Sequence, residues 1–182
     1  MSSTPKDRLR PLRATRQFRE FTTEPVDREA LDAIANVARW SGSSRNSQPW
    51  RFIVVTDEAV IREIAELGMP QTRSLRTATA AIAIVLPVDD DHEVGWAYDD
   101  GRVAERILIA AGMLDLGGGI AWITPNVRAA VSAIFGLPAD RFVRTIVSLG
   151  HPTEAARQLK TPKGSARLPR EETVFEERWP AD

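Results

Sequence analysis

Between Trp40 and Phe52 the chain reads WSGSSRNSQPWRF. Ser43, Ser44, Asn46 and Gln48 offer hydroxyl and amide groups, donors and acceptors both, in one short stretch. Such a set suits a ligand rich in oxygen, a phosphate or a sugar chain. It equally suits a turn whose side chains satisfy its own backbone. Pro49 stops any helix there and directs the chain into the β-branched run RFIVV. A second group is cationic: Arg13 and Arg16, with Arg8, Arg10 and Arg19 close by. Forked guanidinium donors suit a phosphate, although a basic run is usually a solvated face.

Other chemistries find less support. The triple glycine at 117–119 follows a helical pattern, where phosphate loops and dinucleotide fingerprints follow a strand. It reads as a helix stop followed by close approach of backbones. The acidic cluster DDDHE at 89–93 has no second histidine nearby and reads as a solvated loop rather than a metal site. No serine sits in G-x-S-x-G, and with two histidines in the chain a hydrolase triad has thin support; His151 is read as structural. With no cysteine there is no disulfide, thiolate metal site or cysteine nucleophile, which fits a cytoplasmic protein. The net charge of −1 provides no global field for nucleic acid. The N-terminus lacks the apolar core of a secretory signal, and no apolar run reaches the roughly 18 residues a membrane span needs.

The elements that must position these groups follow from periodicity. Residues 1–12 read as a loose arm, and RATRQFREF as a short helix with Arg13 and Arg16 on one face. EPVDREALDAIANVARW predicts a helix capped by Asp27, with Val26 stapled onto Leu31. Asp57 caps a second helix, EAVIREIAEL, that Gly68 ends. AAIAIVLP has no polar interruption and predicts a strand buried on both faces. An acidic loop, VDDDHEVGWAYDD, precedes the helix GRVAERILIAAGMLDL, whose apolar second half belongs in a core or a subunit interface. IAWI and VRTIVSLG are strands, and Thr124 and Pro125 open a helix between them that Gly136 closes. The last 32 residues, 151–182, carry four prolines and no period, and are expected to wrap over something. The order of elements gives a helix-flanked sheet within one domain, 1–182.

Five blocks in this order resemble the FMN-dependent nitroreductase family. RATRQF is similar to its opening R-S-x-R-x-F, and EPVDREALDAIANVAR to its first long helix. SGSSRNSQPWRFIVV resembles its P-S-x-x-N-x-Q-P-W-x-F signature. DDGRVAERILIAAGMLDLGGGIAWI resembles its central helix and following glycine turn, and SARLPREETVFEERW its C-terminal R-x-P-x-E element. The resemblance implies an α+β nitroreductase-like fold, a mixed central sheet flanked by helices. It implies an intertwined homodimer with FMN at the subunit interface, NAD(P)H as electron donor, and a C-terminal segment that embraces the partner.

By matching positions, Arg13, Arg16 and Arg167 are expected at the FMN phosphate and nearby oxygens. Ser43, Ser44 and Asn46 are expected to reach the phosphate or ribityl chain from the other subunit. The resemblance puts Ala14 and Thr15 within the phosphate segment, Gln71 beside the flavin ring, and Trp122, Ile123 and Thr124 against the isoalloxazine. Arg16 is also the expected cation near N1 and O2. Four departures stand out: Ala14 for the usual serine, Gly42 for a proline, Pro125 where an N–H often serves the flavin edge, and a short segment before GRVAER. Lys163 lies near Arg167 in sequence and would add charge there. The implied chemistry needs no protein nucleophile or acid: a hydride enters the flavin, and electrons leave to a nitroaromatic, quinone or activated alkene in a ping-pong cycle. Other flavin reactions of the family, dehalogenation or flavin fragmentation, and a non-catalytic flavin-binding protein are the alternatives.

Overall fold

The computed structural model describes residues 4–158 and 167–180. The expectation for Lys163 lies outside the described residues. Two short helices, α1 (Pro5–Arg8) and α2 (Arg10–Ala14), occupy the segment read as a loose arm. Thr4 and Asp7 close α1 with a reciprocal capping box.

The helix expected over RATRQFREF ends at Ala14. Beyond it the chain is extended, because the edge of the sheet captures it. Phe18 N donates to Gly118 O at 2.7 Å, and Phe21, 5% exposed, bridges to Pro152. Tertiary pairing here outweighs local helical spacing. Arg13 and Arg16 therefore do not share a helix face.

Helix α3 (Arg28–Ala38) buries Leu31, Ile34 and Ala38, and Val26 packs in the same cluster. Asp27 stands at its N-cap, but its side chain accepts no capping bond. Strand β1 (Arg51–Val55) follows the serine-rich loop, and then α4 (Glu58–Leu67), where Asp57 accepts from Ala59 N at 2.9 Å. A 3-10 turn at Arg73–Arg76 leads into β2 (Ala80–Pro87). Its residues alternate between two cores: Ile82, Ile84 and Leu86 face α3 and the next helix, while Ala81, Ala83 and Val85 face α4. That strand is buried on both faces, as its unbroken apolar run implies.

Helix α5 runs from Glu93 to Met113, so most of the stretch read as an acidic loop is its first two turns. Acidic residues are at home at a helix N-terminus, where the dipole favours them. Strand β3 (Gly117–Trp122) starts at the triple glycine; α6 (Arg128–Ile134) follows a 3-10 turn at Pro125–Val127. Gly136, at φ +60°, turns the chain toward β4 (Arg141–Gly150), and α7 (Glu154–Arg157) follows.

The sheet order is β1-β2-β4-β3, and every strand pair is antiparallel. Its parallel component among the described residues is the bridge from Gln17 to Gly118 at the β3 edge. Glycine is required at that edge: a Cβ on Gly119 would lie 2.3 Å from Phe18 O. The close approach read from the triple glycine is thus made by the chain's own N-terminal segment.

Candidate functional site

The serine-rich loop folds as a 3-10 turn over Ser44–Asn46. Arg45, Asn46 and Gln48 have φ of 51°, 55° and 47°. Left-handed backbone costs an L-residue roughly 1–2 kcal/mol, so something must hold it. Ser43 Oγ accepts from Gln48 N at 2.9 Å, and Gln48 Nε2 donates to Asn46 O at 3.3 Å. Arg51 donates to the carbonyl oxygens of Gln48 and Trp50. From outside the loop, Ser44 N donates to Asp99 Oδ2 at 3.3 Å, and Arg102 donates to Asp99 Oδ1 at 3.2 Å. Asp99 is 2% exposed. Arg102 comes so near Gly42 that a Cβ there would lie 2.5 Å from Nη2. The glycine therefore admits the arginine that steadies Asp99. Ser43 and Gln48 serve the turn, and the side chains of Ser44 and Asn46 are exposed.

A cleft of ≈ 430 Å³ lies at the other end of α5. Arg10, Ala14, Thr15 and Arg16 form one side, against Leu108, Gly112 and Leu116. Arg16 stacks its guanidinium 4.7 Å from the Phe18 ring centre and donates to the carbonyl oxygens of Ala156 and Arg157. A cation on the last carbonyls of α7 is favourable. Thr15 Oγ1 donates back to Pro11 O at 3.0 Å. Arg13 and Arg167 are both exposed, and Arg10 joins Arg16 in the cleft wall, a residue the motif match passed over.

The third part is the outer edge of β3. Gly118 O accepts from Phe18, Ile120 N donates to Gln17 Oε1 at 3.1 Å, and Ile123 N donates inward to Arg144 O at 2.9 Å. Antiparallel pairing alternates inward and outward groups. Trp122, and Thr124 through its N–H, thus face the open edge, while Thr124 O accepts from Val127 N at 3.1 Å and Ile123 is fully buried with its N–H committed to β4. Gln71 is exposed just before the 3-10 turn whose Ser74 lies against Gly119.

A β-bulge backs this edge. Ile84 pairs with Thr145 and Val85 with Val143, which leaves Arg144 as the extra residue. Arg144 ion-pairs with Glu93 at 3.1 Å, and Thr145, opposite Trp122, donates to Asp100 Oδ2 at 2.7 Å. Asp100 is 5% exposed and its Oδ1 has no partner among the described residues. Burial pushes its carboxyl up to about 6, against the opposing pull of Thr145, Arg144 and Arg128. Asp99 and Asp100 were not anticipated. Their signal was spacing: Asp99, Val103 and Ile107 recur every four residues, as do Asp100, Ala104 and Leu108, so both acids continue a buried stripe.

The two halves are far apart within one chain. Ser44 touches α5 at Asp99 and the cleft begins on it at Leu108, nine residues or about 14 Å along the axis. Between them runs an apolar groove of ≈ 950 Å³, lined by Leu12, Val37, Tyr98, Ile109, Met113 and Leu114.

Comparison with known proteins places this geometry in a class. Residues 12–87 match the model of the nitroreductase family. The chain is 26% identical over 178 residues to an NADPH-flavin oxidoreductase of Vibrio harveyi, covering 91% of this chain and 72% of that protein. An FMN-dependent nitroreductase from Clostridium difficile R20291 superposes with a TM-score of 0.78 at 23% identity, covering 92% of this chain and 98% of that one. The NADPH:FMN oxidoreductase of Vibrio harveyi complexed with NAD+ gives a TM-score of 0.79 at 24% identity, covering 95% and 78%. Structural likeness at that identity speaks for the fold alone. In sequence the chain resembles the nitroreductase family over residues 12–87, and in fold it resembles these structures over nearly its whole length.

Proposed function

We propose that this protein is an FMN-dependent oxidoreductase that takes electrons from NAD(P)H and passes them to nitroaromatics, quinones or activated alkenes, as a cytoplasmic homodimer. The observation that carries this reading is the separation, about nine helical rises or about 14 Å, between the attachment of Ser44 and the near edge of the arginine cleft on α5. One phosphate cannot meet both within one chain. Two chains joined along the apolar groove, each lending its loop to the other's cleft, resolve the mismatch. Exposed Tyr98, Met113 and Leu114 are then covered.

The residues present fit FMN. Arg16 and Arg10 supply cationic donors at a cleft, Ser44 and Asn46 exposed polar groups, and Trp122 and Thr124 an open backbone edge. Arg13 and Gln71, both exposed, would add contacts, and Arg167 is exposed as well. Ala14 offers no hydroxyl and Thr15 spends its own on Pro11, so phosphate binding rests on the arginines and backbone. FMN, when bound, supplies hydride acceptance and electron release. The chain's part is to orient that group along the β3 edge, hold its phosphate, and place the Arg16 charge by the electron-rich end of the ring. Both substrates use one face in turn, which predicts ping-pong kinetics.

Purified protein should carry flavin absorbance, and NADH or NADPH should bleach it without air. A second quinone or nitroaromatic substrate should then give parallel double-reciprocal lines. Intersecting lines would sink the ping-pong cycle. Pro125, which denies the flavin edge one N–H, favours a second reading, a flavin-binding protein without turnover. Flavin that nicotinamide fails to bleach would decide for it.

A further inference from the structure

The loop is ringed by arginines, and all but one of them are engaged. Arg39 donates to Asn36 Oδ1 at 2.7 Å and stacks on Trp40. Arg51 binds the loop's own carbonyls, Arg102 binds Asp99, and Arg106 donates to Trp40 O at 2.9 Å. Arg45 differs. It is exposed, and among the described residues it has no hydrogen-bond or ion-pair partner. It also stands at φ 51°, a backbone that asparagine or glycine adopts more readily. Its neighbours Ser44 and Asn46 are exposed as well. A strained position occupied by a long unpaired cation makes sense if the cation meets something the single chain does not contain.

We propose that Arg45 is a specificity-determining residue that selects anionic second substrates. This rests on the composite-site reading, in which each loop overhangs the partner's flavin. There the free guanidinium sits at the rim of the space that donor and acceptor occupy in turn. It attracts a carboxylate, sulfonate or phosphate on the exchanging molecule, by forked hydrogen bonds and by charge. The anionic group has two sources, the extra phosphate of NADPH and an acid group on the acceptor.

The test uses the flavin-loaded full chain and three variants. Arg45→Asn removes the charge while suiting the left-handed backbone, Arg45→Glu reverses it, and Arg45→Lys keeps it. Values of kcat/KM are compared for a sulfonated and a neutral naphthoquinone, and for NADPH and NADH. Arg45→Asn should lower the charged-to-neutral ratio about fivefold in one of these pairs, as expected for an exposed ion pair. Arg45→Glu should lower it further, Arg45→Lys should restore most of it, and added salt should erase the difference. The pair that responds identifies the source. An unchanged ratio in both pairs overturns the proposal. So does a weakened preference of Arg45→Asn for FMN over riboflavin, which would assign the side chain to the cofactor's own phosphate. Wild-type protein that takes up no flavin would overturn the composite site itself, a different result from flavin bound with an unmoved ratio.

Discussion

The two ends of α5 hold their loops by different physics. At the N-terminal end, buried carboxylates do it: Asp99 takes the Ser44 N–H and the Arg102 guanidinium, and Asp100 takes the Thr145 hydroxyl. At the C-terminal end, contact does it. Gly118 lets Leu108 approach, and Gly119 lets the Phe18 carbonyl lie where a Cβ would be. Charged attachments answer to pH. Attachments by contact answer to side-chain size. A composite site that takes one wall from each end should therefore fail in two distinguishable ways.

The largest effect is expected at the contact end. Gly119→Ala puts a methyl 2.3 Å from Phe18 O, a backbone atom that a rotamer change cannot move. Either β3 shifts or the 15–21 segment leaves the edge. Overpacking of this kind costs about 3 kcal/mol. Urea denaturation should show that loss, and flavin titration should show weakened binding because Arg16 departs with the strand. Equal loss of flavin from a Gly95→Ala control, where nothing lies within 4 Å of the added methyl, would break the argument.

Next comes pH, at the charged end. The Asp100 carboxyl is held up to about 6 by burial. The folded chain therefore keeps a proton that the unfolded chain has already lost. The stability this group contributes is full below about pH 4 and is lost as pH rises through 6, a swing of about 3 kcal/mol. Asp100→Asn should flatten that part of the profile and gain relative stability at pH 7. An Asn variant whose denaturation midpoint follows the wild-type pH profile would show that another group sets it. Gly119→Ala should shift the whole profile without changing its shape.

Much of this contrast was legible in the sequence. The unbroken apolar run of β2, the β-branched β1 and the helices α3 and α4 declared themselves by period, and the triple glycine announced a close approach. The N-terminal segment did not, because Arg13 and Arg16 sit at a helical spacing that the β3 edge overrides through Phe18 and Gln17. The start of α5 was hidden by its acids. A run of aspartates looks solvated, and that Asp99 and Asp100 are buried depends on partners 55 and 45 residues away. The candidate site was read as a set of residue types. Their division between two ends of one helix is a fact of three dimensions, as is the engagement of Arg16 by α7.

A smaller effect tests whether Asp99 works through the loop. Asp99→Asn keeps the shape, but an amide presents one oxygen where the carboxylate presents two. One of the two attachments is lost, at a cost of about 1.5 kcal/mol. Flavin affinity should fall about tenfold, the equivalent of about 1.4 kcal/mol. On the proposal that the loop serves the partner's cleft, mixing this variant with Gly119→Ala chains should rescue flavin binding in half of the sites of the mixed dimer. No rescue would mean that loop and cleft of the same chain meet, against their separation along α5.

The smallest effect is at the loop's strain. Asn46 stands at φ 55°, where glycine is at ease and asparagine is tolerated. Asn46→Gly removes an exposed amide and leaves in place the carbonyl that Gln48 Nε2 uses. Stability should move by no more than about 0.5 kcal/mol, since relief of the left-handed strain offsets the added freedom of the unfolded chain. Flavin affinity should still drop if, as proposed, the amide faces the cofactor. A variant unchanged in both would make Asn46 a turn residue, its side chain present for backbone conformation alone. A drop in affinity without a drop in stability would separate the ligand-facing role of this loop from its folding role.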